Sequence, residues 1–505
     1  MQSDRRGASA QRGGPDSRQV GLPAVKRALL LLLLSAGCGG PDSNPLHEVL
    51  GREPGALLQG GRPTEASAEQ PRFEPGEQVE SVVSPGGLFR LHFSRSGPNA
   101  VSAADADGNG VPDSVDTVAR TYDAVAVFYS GLGYRLPPED SGGTDEHGGD
   151  GRFDVYLVDF AGRADGAFRV EGCLTTDMSC SGYMLQENDF AGYGYASYEQ
   201  AVATLASHEF FHAVQAAYRT GLGRVAEEGT AVWASERFAP ELDDLERAAP
   251  AYLSLADRSL VVDPDGPAQS FSYGASIFFQ FLSERLGEGV VLSMWEESVN
   301  ALSARWPALL ETVLRRDWGM DFDTAFSEFA QWNLATGARA GEGSGYARGA
   351  DYSGLVLAAR ELPVDEPSVR VAAASTRYFE VAGGAESVSA SFEPREGTDS
   401  AAVHLLVAAV NEHEVLRVAR ADGPGSLSTQ VSAGDATHVV VAVVNGRPEG
   451  EGRYGRLRIS SVSPAVSPDE EEEPAGGCHA APGALPWALL LTATVWRRSP
   501  RRRTT

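Results

Sequence analysis

From about Leu88 to Pro363, apolar runs of strand length alternate with longer stretches whose apolar residues recur every three or four positions. That mixture of strands and amphipathic helices predicts an α+β fold. One helical stretch covers roughly Tyr198 to Arg219, with Ser197 and Gln200 placed to form a capping box and Gly221-Leu222-Gly223 to stop it. From about Ser368 to Val462 the pattern changes to short alternating runs: Tyr378–Val381, Ser387–Phe392, Val403–Val410, His438–Val444 and Arg456–Ser460. Turn residues such as Asn445-Gly446 separate them, which predicts an antiparallel β-sandwich. Residues 38–86 are rich in Gly, Pro, Glu and Ser without clear periodicity and read as a disordered linker. Residues 464–477, with Glu470–Glu473, form an acidic spacer.

The two ends carry apolar segments of another kind. Basic residues up to Lys26-Arg27 precede the apolar stretch Ala28–Leu34 and then Ser35-Ala36-Gly37-Cys38. These are the charged region, short apolar region and small-residue cleavage site of a secretory signal peptide over residues 1–37, cut by a signal peptidase. Small residues directly before Cys38 resemble a bacterial lipobox, which implies that Cys38 becomes the lipidated first residue. At the other end, Gly476-Gly477-Cys478 leads into an apolar run from about Ala480 to Trp496 and an arginine cluster, a stop-transfer pattern over residues 478–505. Gly-Cys before such a segment resembles the myxobacterial C-terminal sorting signal (MYXO-CTERM). The resemblance implies a sorting protease cutting near Cys478, with membrane attachment through the lipid or this tail; a plain tail anchor is the alternative.

Composition narrows the reading further. The chain has 505 residues, 42% hydrophobic and 22% charged, which rules out a wholly disordered protein and a polytopic membrane protein. Its formal charge of -27 repels phosphate backbones, so no nucleic-acid partner is expected. The two terminal segments are net basic, leaving a body more acidic than the whole, as suits calcium binding or an extracellular setting. With Cys38 and Cys478 in the processing signals, Cys173 and Cys180 remain as the pair expected to form a local disulfide in an oxidising compartment.

The strongest chemical signal is Ser207-His208-Glu209-Phe210-Phe211-His212, an H-E-x-x-H sequence on the predicted helix. His208 and His212 lie one turn apart on one face and can reach one zinc ion, while Glu209 is angled away and suited to act as a general base. Zinc lowers the pKa of a bound water to about 7, a carboxylate can take that water's proton as it attacks a carbonyl, and the proton then passes to the leaving amine. A catalytic zinc needs a third protein ligand. The acidic segment from Val225 to Glu236 can fold back antiparallel after a short loop and bring carboxylates to the histidine face. This arrangement resembles the gluzincin metallopeptidases, in which a glutamate on the next helix completes the site. The resemblance implies Glu228, directly before Gly229, as that ligand, with Glu227 the rival about 100° round the helix. It also offers Tyr273 as an oxyanion donor; the alternative is a buried core tyrosine, because Phe278, Phe279 and Phe281 beside it are plainly core.

A second metal signal starts at Asp105. Asp105, Asp107, Asn109, Asp113 and Asp116 supply side-chain oxygens at loop positions 1, 3, 5, 9 and 12, and Val111 a backbone carbonyl at 7. Gly110 occupies position 6, the calcium-loop pattern of EF-hands, and the aspartate at 12 resembles dockerin and thrombospondin type 3 loops. A helix is expected over Thr117–Tyr129. Asp145, Asp150 and Asp154 fit no template but offer a further acidic cluster.

Together these features resemble a group of myxobacterial metalloproteases. The resemblance implies a zincin-like metallopeptidase domain over 87–365, followed by an accessory β-sandwich over 366–463, in an exported zinc endopeptidase acting on a peptide or protein, at the outer membrane or cell surface or secreted. The alternative is a calcium-stabilised surface adhesin or structural protein whose helix holds metal without turnover.

Overall fold

Period-two alternation sorts the residues of the first sheet between two faces. The sheet contains β1 (Val79–Val83), β2 (Phe89–Ser94), β3 (Phe153–Val158), β4 (Gly166–Cys173) and β5 (Cys180–Glu187), in the order β1-β2-β3-β5-β4. The computed structural model describes residues 61–65, 67–139, 148–174, 179–264, 270–397 and 401–462, so both terminal signals, with Cys38 and Cys478, lie outside the described residues. Strands β2, β3 and β5 pair in parallel, while β1 and β4 run antiparallel at the edges. A parallel step needs a crossover, and α1 (Asp113–Gly131) lies between β2 and β3. Leu91, Phe93, Val155 and Leu157 enter the main core, and Tyr156, Val158, Tyr183 and Leu185 form a smaller cluster with Phe73. The Cys173–Cys180 disulfide joins β4 to β5 at paired positions, Cα–Cα 3.9 Å. A closed disulfide suits an exported protein.

Eight further helices follow β5 among the described residues: α2 (Tyr198–Ala216), α3 (Arg224–Phe238), α4 (Asp244–Leu253), α5 (Ser270–Gly274), α6 (Ser276–Leu286), α7 (Gly289–Asn300), α8 (Trp306–Val313) and α9 (Phe322–Trp332). None of the described helices is long and apolar enough to cross a membrane. Helix α2 starts where the cap predicts, with Ser197 Oγ accepting from Gln200 N at 3.1 Å. It is buried nearly all round, packing on α1, α3, β4 and β5.

The second half is a two-sheet sandwich. Its strands are β6 (Ala359–Arg360), β7 (Val364–Val371), β8 (Ser375–Ala382), β9 (Ser387–Pro394), β10 (Val403–Val410), β11 (Val415–Asp422), β12 (Leu427–Ser432), β13 (His438–Asn445) and β14 (Arg453–Val462). One sheet runs β11-β10-β13-β8-β6 and the other β12-β9-β14-β7. Pairing is antiparallel except between β6 and β8. The sandwich is not a separate appendage. Every residue of β10 is buried, because Leu405 and Val407 face the second sheet while Leu406 joins the main helical core with Ala442 and Val444 of β13. Tyr378 Oη donates to the Ala330 carbonyl at 2.7 Å, and His404 Nε2 lies 2.7 Å from Asp323 Oδ1. A strand covered on both faces loses the apolar/polar alternation of a half-exposed one, which is why Val403–Val410 is almost continuously apolar.

Two sequence expectations need correction. The described part of the stretch read as linker is folded: β1 belongs to the sheet, Phe73 is buried, and the Arg62 side chain is 1% exposed. Arg62 Nη1 donates to Asp154 Oδ2 at 2.5 Å and to Tyr156 Oη at 3.0 Å, and its Nε and Nη2 grip Glu171 of β4 at 2.9 and 2.6 Å. His92 Nε2 holds the other Asp154 oxygen at 2.6 Å. The acidic cluster therefore dissolves as a metal candidate. Asp154 is neutralised by Arg62, and Asp150 by Arg90 and Arg152, with the Arg90 hydrogen bond foremost in holding the Asp150 carboxyl down at about 2. Asp145 lies outside the described residues.

Candidate metal centre

Helices α2 and α3 are joined by a loop with Gly221 and Gly223 at φ 75° and 104°, which returns the chain so that the two pack side by side. Ser207 Oγ and Ser235 Oγ meet at 2.8 Å across that contact, and Tyr129 of α1 donates to the Ser207 carbonyl at 2.8 Å. These bonds flank His208 and set its height along α3. On its other side α3 packs on α6, and Gly229 is required there: a Cβ would come 2.8 Å from Phe279 Cε2. Gly229→Ala is expected to cost about 1–3 kcal/mol in urea denaturation as Phe279 and α6 are pushed aside.

The fold brings His208, His212 and Glu228 together, with one potential ligand atom from each lying within 4.8 Å of the others. Glu228 Oε2 lies 3.3 Å from His208 Nε2 and 3.4 Å from His212 Nε2. The rival Glu227 turns away, its Oε1 accepting from the Gly221 and Leu222 amides at 2.8 and 3.0 Å and so closing the interhelical loop. His208 is fully buried, while the side chains of His212 and Glu228 are 11% and 10% exposed, so the group opens on one side.

Electrostatics follow from burial and mutual contact. Burial disfavours the charge of His212, but the Glu228 carboxylate outweighs it and pushes the imidazole up to about 10. Burial acts to raise Glu228, and the imidazoles, His212 foremost, reverse this and hold its carboxyl well below the usual carboxylate range. Glu209, fully buried, accepts the Phe168 N–H of β4 at Oε2, 3.0 Å, and its charge reaches both His212 and Tyr273. Tyr273 on α5 is half-buried rather than sealed in the core. Its ring stacks on His208 (centroids 5.9 Å, planes 22° apart) and its phenol meets the Glu228 carboxylate. Burial first, then Glu228 and Glu209, hold that phenol well above its usual value, so it keeps its proton.

The donor set suits zinc. Two imidazole nitrogens and one carboxylate oxygen are typical catalytic zinc ligands, and a tetrahedron with bonds of 2.0–2.1 Å has edges of about 3.3 Å. The separations of 3.3 and 3.4 Å match such edges and are long for charge-assisted hydrogen bonds.

Sequence reasoning missed Gln215 and Phe168. Gln215 is 3% exposed and touches His212, three residues before it on α2. An amide side chain three residues after His212, on the same side of a buried helix, was the available signal. Phe168 acts through its backbone, which leaves no mark in the sequence.

At the second predicted site, Asp105, Asp107 and Asp113 converge within 4.8 Å. Asp105 accepts from the amides of Gly108, Asn109 and Gly110, and Asn109 Nδ2 bridges Asp107 and Asp116 at 3.2 and 2.8 Å. Val111 donates its N–H to Asn109 Oδ1 at 2.6 Å. Helix α1 starts at Asp113, four residues earlier than expected, so Asp113 and Asp116 sit in its first turn.

No family model and no curated protein matches the chain. Among solved structures, a periplasmic inhibitor of g-type lysozyme from Aeromonas hydrophila aligns at 15% identity and TM-score 0.15, over 19% of this chain and 84% of the inhibitor. A GH115-family 4-O-methyl-alpha-glucuronidase aligns at 12% identity and TM-score 0.15, over 66% of this chain, which spans about half (54%) of that enzyme. Neither likeness carries an argument about fold or function.

Proposed function

We propose that the protein is an exported zinc-dependent endopeptidase, with His208, His212 and Glu228 holding the metal. The observation that carries this reading is the pair of 3.3 and 3.4 Å separations around Glu228 Oε2, beside a buried glutamate one residue after His208. Zinc bound there supplies Lewis acidity and an activated water near neutral pH. Glu209, held at Oε2 by the Phe168 amide, takes a proton from the attacking water and returns it to the leaving amine nitrogen. Tyr273, protonated and beside Glu228, donates its O–H to the developing oxyanion. Strand β4 is an edge of its sheet, and its Phe168 N–H points from that edge to Glu209. A substrate peptide added along this edge would pass the acid–base group. Export rests on the terminal signals and the disulfide, with lipidation at Cys38 and sorting at Cys478 setting surface attachment or release. Zinc analysis and casein or peptidoglycan-peptide cleavage by the purified protein test the reading; zinc bound with no cleavage across varied substrates overturns it in favour of a non-catalytic metal site.

The Asp105–Asp116 loop is proposed to bind calcium and fix the start of α1. Calcium at 100 times its Kd would add about 2.7 kcal/mol of stability. A rise in melting temperature with calcium over chelator is expected in the wild type, and its disappearance in the Asp105→Ala, Asp107→Ala double variant.

A further inference from the structure

We infer that Gln215 is the positioning residue that aims His212 at the metal and ties it to the helix carrying Glu228. The amide orientation follows from its neighbours. One end of the Gln215 amide lies 2.8 Å from the Glu227 backbone carbonyl, which can only accept, so that end is the NH2 group, Nε2. The same Nε2 lies 3.0 Å from Thr230 Oγ1, whose single hydroxyl hydrogen is already given to the Ala226 carbonyl at 2.7 Å, so Thr230 accepts as well. Both donors are thus committed to α3. The other end of the amide must be the oxygen, and it faces His212 Nδ1 at 2.8 Å. An oxygen there requires Nδ1 to carry a proton, which makes Nε2, the nitrogen facing Glu228 Oε2, the atom free to give up its proton and ligate a metal.

The arrangement does more than orient one ring. Glu227 and Thr230 bracket Glu228 along α3, so a single buried side chain sets the second imidazole against the third ligand. A metal site whose ligands come from two helices loses affinity when those helices shift, and Gln215 spans the gap at the level of the metal.

This inference rests on the zinc reading, and the experiment separates the two. Zinc affinity of the full chain is measured by competition with a chromophoric chelator for the wild type, Gln215→Leu and Gln215→Glu, alongside the melting temperature of each metal-free protein. Gln215→Leu is expected to bind zinc 10- to 100-fold more weakly, the range for loss of an outer partner of a metal-bound histidine. Gln215→Glu keeps an acceptor for Nδ1–H and loses both donors to α3. It is expected to recover zinc affinity to within a few-fold of wild type while its metal-free form melts lower. Equal zinc affinity in Gln215→Leu and wild type overturns the proposal. So does an equal loss in both variants, which would mark a purely structural role. Failure of the wild type itself to bind zinc overturns the metal reading, and this inference falls with it.

Discussion

Glu209→Gln is expected to retain zinc at wild-type stoichiometry while peptide cleavage falls by about 10²–10⁴-fold, the usual contribution of a general base. The substitution is well suited to this site. Glutamine keeps a carbonyl oxygen where Glu209 Oε2 accepts the Phe168 amide at 3.0 Å, so β4 has no reason to move. What is lost is the carboxylate that accepts and releases a proton. Zinc analysis by atomic absorption and cleavage of a quenched fluorescent peptide check the two halves separately. Zinc retained with undiminished cleavage would remove Glu209 from the mechanism.

The second large effect is on stability. Arg62→Ala is expected to cost about 3–5 kcal/mol, the range for breaking a buried ion pair by removing one partner. Arg62 and Asp154 are each 1% exposed, and the arginine also binds Tyr156 and Glu171 and lies over the Tyr183 ring at 5.2 Å. Alanine leaves Asp154 without its hydrogen-bonded guanidinium and releases the grip on the edge strand β4. Arg62→Lys should recover only part of the loss, since an ammonium cannot reproduce the two-pronged contact with Glu171. Urea denaturation followed by tryptophan fluorescence measures both. A loss below about 1 kcal/mol for alanine would mean that residues 61–74 are an ornament on the sheet and not part of it.

The legibility of the molecule was uneven for physical reasons. Local patterns were read well: the Ser197 cap, the start of α2 at Tyr198, the strand Val403–Val410 and the Cys173–Cys180 pair are all decided by neighbours in sequence or by composition. The linker reading of residues 38–86 was misleading because low hydrophobicity also describes a segment held by ion pairs. Arg62 carries no sequence mark of being buried until Asp154 and Glu171, some 90 and 109 residues away, are folded onto it. Four strands of the sandwich were missed: β6 is only two residues long, and in β7, β11 and β12 the exposed faces interrupt the apolar pattern.

By itself the sequence placed two histidines on one face of a helix with a glutamate beside them, since helical spacing alone aligns His208 and His212 and puts Glu209 next to them. It likewise set the Asp105–Asp116 loop, whose convergent aspartates lie within one short stretch of chain. The tertiary structure decided which carboxylate meets the two imidazoles. Both Glu227 and Glu228 were chemically suitable, and only the packing of α3 between α2 and α6, the latter permitted by Gly229 against Phe279, sends Glu228 to the imidazoles and Glu227 to the loop. It also decided Gln215 and the Phe168 amide, whose roles depend on distances between separate elements. Contacts within a turn of helix are written in residue spacing. Contacts between elements are written in packing, and no spacing rule reaches them.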